Sequence, residues 1–224
     1  MIHRPQSDPQ SLFTNRAEAG CELALLLGAY ANRSDVTVLA LPRGGVPVGA
    51  EIARIIHAPL DVFVVRKLGV PGHEELALGA IASGGATVIN ESVLRELGFS
   101  IADLEAVAGR EALEVERREA RYRPTHEPLR VEGRTVILVD DGLATGATMR
   151  VAVRALRSLR PARLVVAVPV GPPETCRDLR AEADEVVCVR EPDPFDGVGA
   201  WYRNFTQVTD DEVCELLKGT RRAD

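Results

Sequence analysis

Lysine is nearly missing from this sequence: of 27 basic residues only Lys67 and Lys218 are lysines, and the rest are arginine. A lysine in such a chain asks for more explanation than usual, which draws attention to Lys67. Cysteine is sparse and scattered. Cys21, Cys176, Cys188 and Cys214 show neither the close pairing of a zinc motif nor that of a dithiol motif, so they read as small buried hydrophobes in a reducing compartment. No apolar run approaches the roughly 20 residues of a bilayer span. Met1 to Gln10 lacks the apolar centre of a signal peptide, so the expected location is the cytoplasm, with no membrane partner. The sequence contains no Walker loop, because no lysine follows a glycine where one is required, and no G-x-G-x-x-G follows the first apolar run. A net charge of -6 argues against a whole surface built for nucleic acid.

What is present suits one large α/β domain: 224 residues, 46% hydrophobic and 27% charged, with no low-complexity tract. Apolar residues at helical spacing, among them Ala19, Leu23, Leu26 and Leu27, predict an amphipathic helix within 12–30. VTVLAL (36–41), LDVFVV (60–65), TVILV (135–139), LVVAV (164–168) and EVVCV (185–189) are short β-branched runs of the kind that form strands buried on both faces. Helical patterns over 46–57, 147–159 and 173–183 separate them. That alternation predicts a doubly wound, mainly parallel sheet with a ligand crevice beyond the carboxyl ends of its strands. Runs at 78–83 and 86–90 predict a hairpin turning at Gly84 and Gly85, and 101–121 predicts a long helix braced by Glu and Arg at spacings of three and four.

The segment that carries chemistry is VILVDDGLATGATM (136–149), in which a buried strand ends in two acids and passes through a small-residue loop into a helix. Gly142, Leu143, Ala144, Thr145, Gly146, Ala147 and Thr148 form a loop bare enough for backbone N–H groups to converge beside a helix N-terminus, which favours a phosphate. Thr145 and Thr148 add hydroxyls. Asp140 and Asp141, side by side, repel unless they meet sugar hydroxyls or a cation, so a ribose diol with nearby Mg²⁺ is their natural partner. The plainer reading is a strand-to-helix turn with one aspartate as an N-cap.

This string resembles the 5-phosphoribosyl 1-pyrophosphate motif of the type I phosphoribosyltransferases. Gly142 departs from the pattern, since many members carry an aliphatic residue there, and suggests a looser loop. The resemblance implies that LPRGG (41–45) is the pyrophosphate loop, with Arg43, Gly44 and Gly45 against the diphosphate and a non-proline cis peptide beside Arg43. It implies that VRKLGVPG (65–72) opens a mobile loop over about 66–80, with Arg66 and Lys67 neutralising the diphosphate. Glu74 and Glu75, with His73, are then candidates for moving the acceptor's proton. Asp140 and Asp141 hold the ribose and, through water, Mg²⁺. The hypoxanthine-guanine enzymes resemble this sequence but carry Asp where Ala144 stands, so this chain needs its acid or base elsewhere.

The implied layout is one phosphoribosyltransferase domain over 1–224. Its core is about 34–190, and its hood is formed by about 191–205 with the N-terminal helix. Four of the nine aromatics fall in 190–205, and Phe195, Trp201 or Tyr202 either stack on an acceptor ring or plug the domain. The implied activity is transfer of ribose 5-phosphate from 5-phosphoribosyl 1-pyrophosphate to a nitrogen of a nucleobase-like acceptor, with release of diphosphate. The alternative is a regulator that senses the donor and binds nucleic acid or protein. A homodimer is expected from the resemblance alone.

Overall fold

The computed structural model describes residues 11–70, 73–89, 101–123 and 129–220, without the side chains of 70, 73–78, 101–107 and 220. The helices are α1 (Arg16–Leu26), α2 (Gly45–Ile56), α3 (Ile101–Tyr122), α4 (Ala147–Ser158), α5 (Pro173–Leu179) and α6 (Asp210–Thr220). The strands are β1 (Val36–Ala40), β2 (Leu60–Val62), β3 (Val65–Val70), β4 (His73–Ala82), β5 (Thr87–Ile89), β6 (Thr135–Val139), β7 (Arg163–Val170) and β8 (Glu185–Arg190).

Five of these strands form a parallel sheet in the order β2-β1-β6-β7-β8. Side chains on a strand alternate between faces, and the apolar runs use both. Val36, Val38, Ala40, Ile137, Val139, Val165 and Ala167 join the cluster that also holds Leu23 and Ala24 of α1, Ile52 and Ile56 of α2, and Val213 and Leu217 of α6. Their neighbours Leu39, Val136, Leu138, Leu164, Val166 and Val168 join the opposite cluster, with Met149, Val153 and Leu156 of α4 and Leu179 of α5. Each fully buried Val, Leu or Ile in these layers contributes roughly 1.5–3 kcal/mol of transfer free energy, which is why β-branched runs rather than alternating ones build the central sheet.

The chain leaves β1 toward β2 on one side and leaves β6 toward β7 on the other, so the winding reverses between the adjacent strands β1 and β6. Their carboxyl ends are in register, Ala40 opposite Val139, and the loops that follow begin side by side. Such a reversal is where open α/β sheets form a ligand crevice.

The hairpin at Gly84 and Gly85 is present, with β4 and β5 antiparallel. The stretch 66–80, expected as a mobile loop, lies largely in an antiparallel ribbon, β3 with β4, that completes a second, three-stranded sheet. Buried Leu68, Ala80 and Ala82 draw it onto the domain, and register shifts either side of Gly69 absorb the glycine that reads as a breaker. Residues 71 and 72 lie outside the described residues. The non-proline cis peptide expected beside Arg43 joins Pro42 to Arg43.

Candidate active site at the switch point of the sheet

The loops after β1 and β6 pack directly on one another. Leu41 N–H donates to the Val139 carbonyl at 2.9 Å. A methyl group built on Gly44 stands 2.1 Å from Asp141 Oδ2, and one on Gly45 stands 2.7 Å from the Val139 carbonyl oxygen. These two glycines are therefore required by close approach: any side chain at either place pushes the acid pair out of position. Arg43, at the mouth of the same loop, is 37% exposed, with Asp210 of α6 at 3.9 Å.

Asp140 turns its Oδ1 to the N–H of Asp141 at 2.8 Å. Burial, and then the neighbouring Asp141 charge, hold the Asp140 carboxyl well above the usual carboxylate range. Burial also raises Asp141, against the guanidinium of Arg16, whose Nε donates to Asp141 Oδ2 at 2.7 Å. Two acids forced together in a half-dry corner make a site that is short of positive charge.

The loop that follows is fastened at its edges and open between them. Leu143 N–H donates to the Val170 carbonyl at 2.8 Å, and Thr175 Oγ1 to the Ala144 carbonyl at 3.1 Å. Gly146 has φ +71°, and a methyl there meets the Thr175 methyl at 2.6 Å, so glycine is required on two counts. Ala147 N–H lies 3.4 Å from Thr145 Oγ1. Among the described residues, the N–H groups of Ala144, Thr145, Gly146 and Thr148 have no protein acceptor. Ala144, Thr145 and Thr148 are exposed. Unpaired amides at the start of α4, an exposed rim and a helix dipole together suit an anion.

Gly142 is not the looser point that the sequence suggests. It is buried, and a methyl built on it stands 2.6 Å from Val198 Cγ1 and 3.1 Å from Val170 Cγ1. Val198, from the segment after β8, closes over the bare backbone of Gly142.

The expected hood is joined to the N-terminus by main-chain bonds. Phe13 N–H donates to the Trp201 carbonyl at 2.9 Å, and Arg203 N–H to the Phe13 carbonyl at 2.8 Å. Tyr202 is a plug rather than a stacking platform. Only 5% exposed, it packs its ring on Phe13 and Phe205, and its hydroxyl donates to the Asp141 carbonyl at 2.6 Å. Phe195 and Trp201 are half-buried against the same cluster.

Sequence reasoning missed Arg16. Besides Asp141 it reaches the Thr206 carbonyl at 2.8 Å, and its guanidinium carbon stands 3.9 Å from the Phe205 ring centre. No local signal marks it, since its partner is 125 residues away. Arg66 is engaged with Glu111 of α3 at 2.7 Å, whereas Lys67, one residue on and so on the other face of β3, is exposed. The side chains of His73, Glu74 and Glu75 lie outside the described residues.

The chain matches the family model "Phosphoribosyl transferase domain" over residues 16–202. It is 44% identical over 211 residues to the Mycobacterium tuberculosis protein Rv0571c, whose name assigns it provisionally to the phosphoribosyl transferases. That match covers 94% of this chain and 47% of Rv0571c, so the chain spans about half the length of that relative. It is 33% identical over 154 residues to the "Bifunctional protein PyrR" of Ralstonia nicotianae, covering 63% of this chain and 85% of that protein. Its fold matches the Thermus thermophilus protein TT1426 with a TM-score of 0.83 at 42% identity, over 93% of this chain and 99% of the other. With the paired acids, the bare loop and the glycine loop all meeting at one switch point, the chain belongs to the phosphoribosyl transferase domain family.

Proposed function

We propose that this chain transfers ribose 5-phosphate from 5-phosphoribosyl 1-pyrophosphate to a nitrogen of a nucleobase-like acceptor and releases diphosphate. One observation carries the reading: Asp140 and Asp141, short of positive charge, stand between a loop of unpaired amides and the Arg43-Gly44-Gly45 turn. The 5-phosphate sits on the amides of 144–148 with the Thr145 and Thr148 hydroxyls. The carboxylates take the ribose hydroxyls. A pair of acids with raised proton affinity also fits Mg²⁺, which Asp140 and Asp141 would hold through water and which would supply positive charge to the diphosphate.

Arg43 and the exposed Lys67 hold the leaving diphosphate, and Arg66 shares in that role only after parting from Glu111. The acceptor nitrogen forms a bond to C1 as the C1–O bond to diphosphate breaks, with the acceptor's proton passing to Glu74 or Glu75 of β4. Phe195 and Trp201 border the acceptor. The work is done in the cytoplasm, by a homodimer.

Incubation with the donor, Mg²⁺ and a panel of nucleobases is expected to release diphosphate with at least one base. Tight donor binding with no release from any base supports the second reading, a donor-sensing regulator, which the likeness to PyrR proteins favours. A regulator of nucleic acid needs a free basic face. The arginine row of α4 does not offer one, because Arg150, Arg154 and Arg157 are each paired with Asp178, Glu182 or Asp184.

A further inference from the structure

Folding brings together two cysteines that the sequence separates. Cys176 of α5 and Cys188 of β8 place their sulfurs, with a carboxylate oxygen of Glu191, so that all three atoms lie within 4.8 Å of one another. Cys176 is buried, Cys188 is half-buried and Glu191 is at the surface. Both cysteines pack with the apolar cluster under α4 and α5, as expected of small hydrophobes, yet their sulfurs meet. A tetrahedral zinc ion, with Zn–S about 2.3 Å and Zn–O about 2.0–2.2 Å, holds its ligand atoms roughly 3.5–3.8 Å apart. The cluster already approaches that size.

We propose that Cys176, Cys188 and Glu191 form a site for a soft divalent cation of the zinc class, separate from the acid pair, with water as fourth ligand. Two further observations agree. Glu191 Oε1 is 2.7 Å from Arg180, a pairing that orients the carboxylate as an outer partner does in metal sites. Finally, Thr175, next to Cys176, donates to the Ala144 carbonyl, so the ion would brace the support of the phosphate loop.

The test is titration of the reduced, full-length chain with Co²⁺, reading thiolate-to-metal charge transfer. One equivalent is expected, and zinc should displace it. Cys188→Ser should abolish the band, and Glu191→Gln should weaken affinity on the order of 10-fold or more. Asp140→Asn with Asp141→Asn should leave it unchanged. No band in the folded reduced chain, or a band that survives Cys188→Ser, overturns the proposal. So does isolation of the pair as a disulfide that, once reduced, takes up no metal. A thermal melt of Cys188→Ser matching the unaltered chain shows that its loss of signal is not unfolding.

Discussion

At the scale of single residues, the acid pair sets the terms. Asp140 has a raised folded-state pKa, so the native state holds its proton more tightly than the unfolded state does. Its contribution to stability therefore falls as pH climbs from the ordinary carboxylate value through the raised one. Asp140→Asn removes that penalty and keeps an oxygen for the Asp141 N–H. We expect the apo variant to gain on the order of 1 kcal/mol, roughly 2–4 °C in Tm for a chain of this size. A lower Tm contradicts this. Because a cation drives the proton off, Mg²⁺ with the donor should bind with net proton release just above the usual carboxylate range, read by calorimetry in buffers of different ionisation enthalpy. Arg16 works the other way. Arg16→Ala strands a largely buried Asp141 carboxylate and should cost about 2 kcal/mol. Combined with Asp141→Asn, the loss should be clearly less than additive; strict additivity would disprove the pairing.

At the scale of elements, glycines decide how the loops meet. Gly142 lies under Val198, so Gly142→Ala should destabilise by about 1–3 kcal/mol, and Val198→Ala in the same chain should recover much of it. Equal melts for single and double variants would refute the close contact. This is also where the sequence was least readable. The run VILVDD names its strand and its acids because a buried parallel strand ending in two carboxylates is a local pattern. Whether Gly142 is loose or tight depends on a valine 56 residues later, which no local pattern carries. Gly69 and its neighbours mimic a loop for the same reason: only the pairing of β3 with β4 makes them a strand. Arg16 and the Cys176–Cys188 pair are invisible until the sheet order brings their elements together.

At the scale of the molecule, two sheets of unequal security share one chain. β1 and β6 are buried along their whole length, whereas β5 alternates between exposed and half-exposed residues. Hydrogen exchange should therefore be slowest in β1, β6 and β7 and markedly faster in β3–β5. Equal protection would show that the small sheet is part of one cooperative unit. The order matters for the proposed function, because the large sheet presents the acid pair and the loop proposed to hold the phosphate while the ribbon carries Lys67. The most direct measurement is calorimetric titration of the chain bearing Asp140→Asn and Asp141→Asn with 5-phosphoribosyl 1-pyrophosphate and Mg²⁺. The account predicts a folded protein with no measurable donor binding. Donor affinity equal to that of the unaltered chain would contradict it.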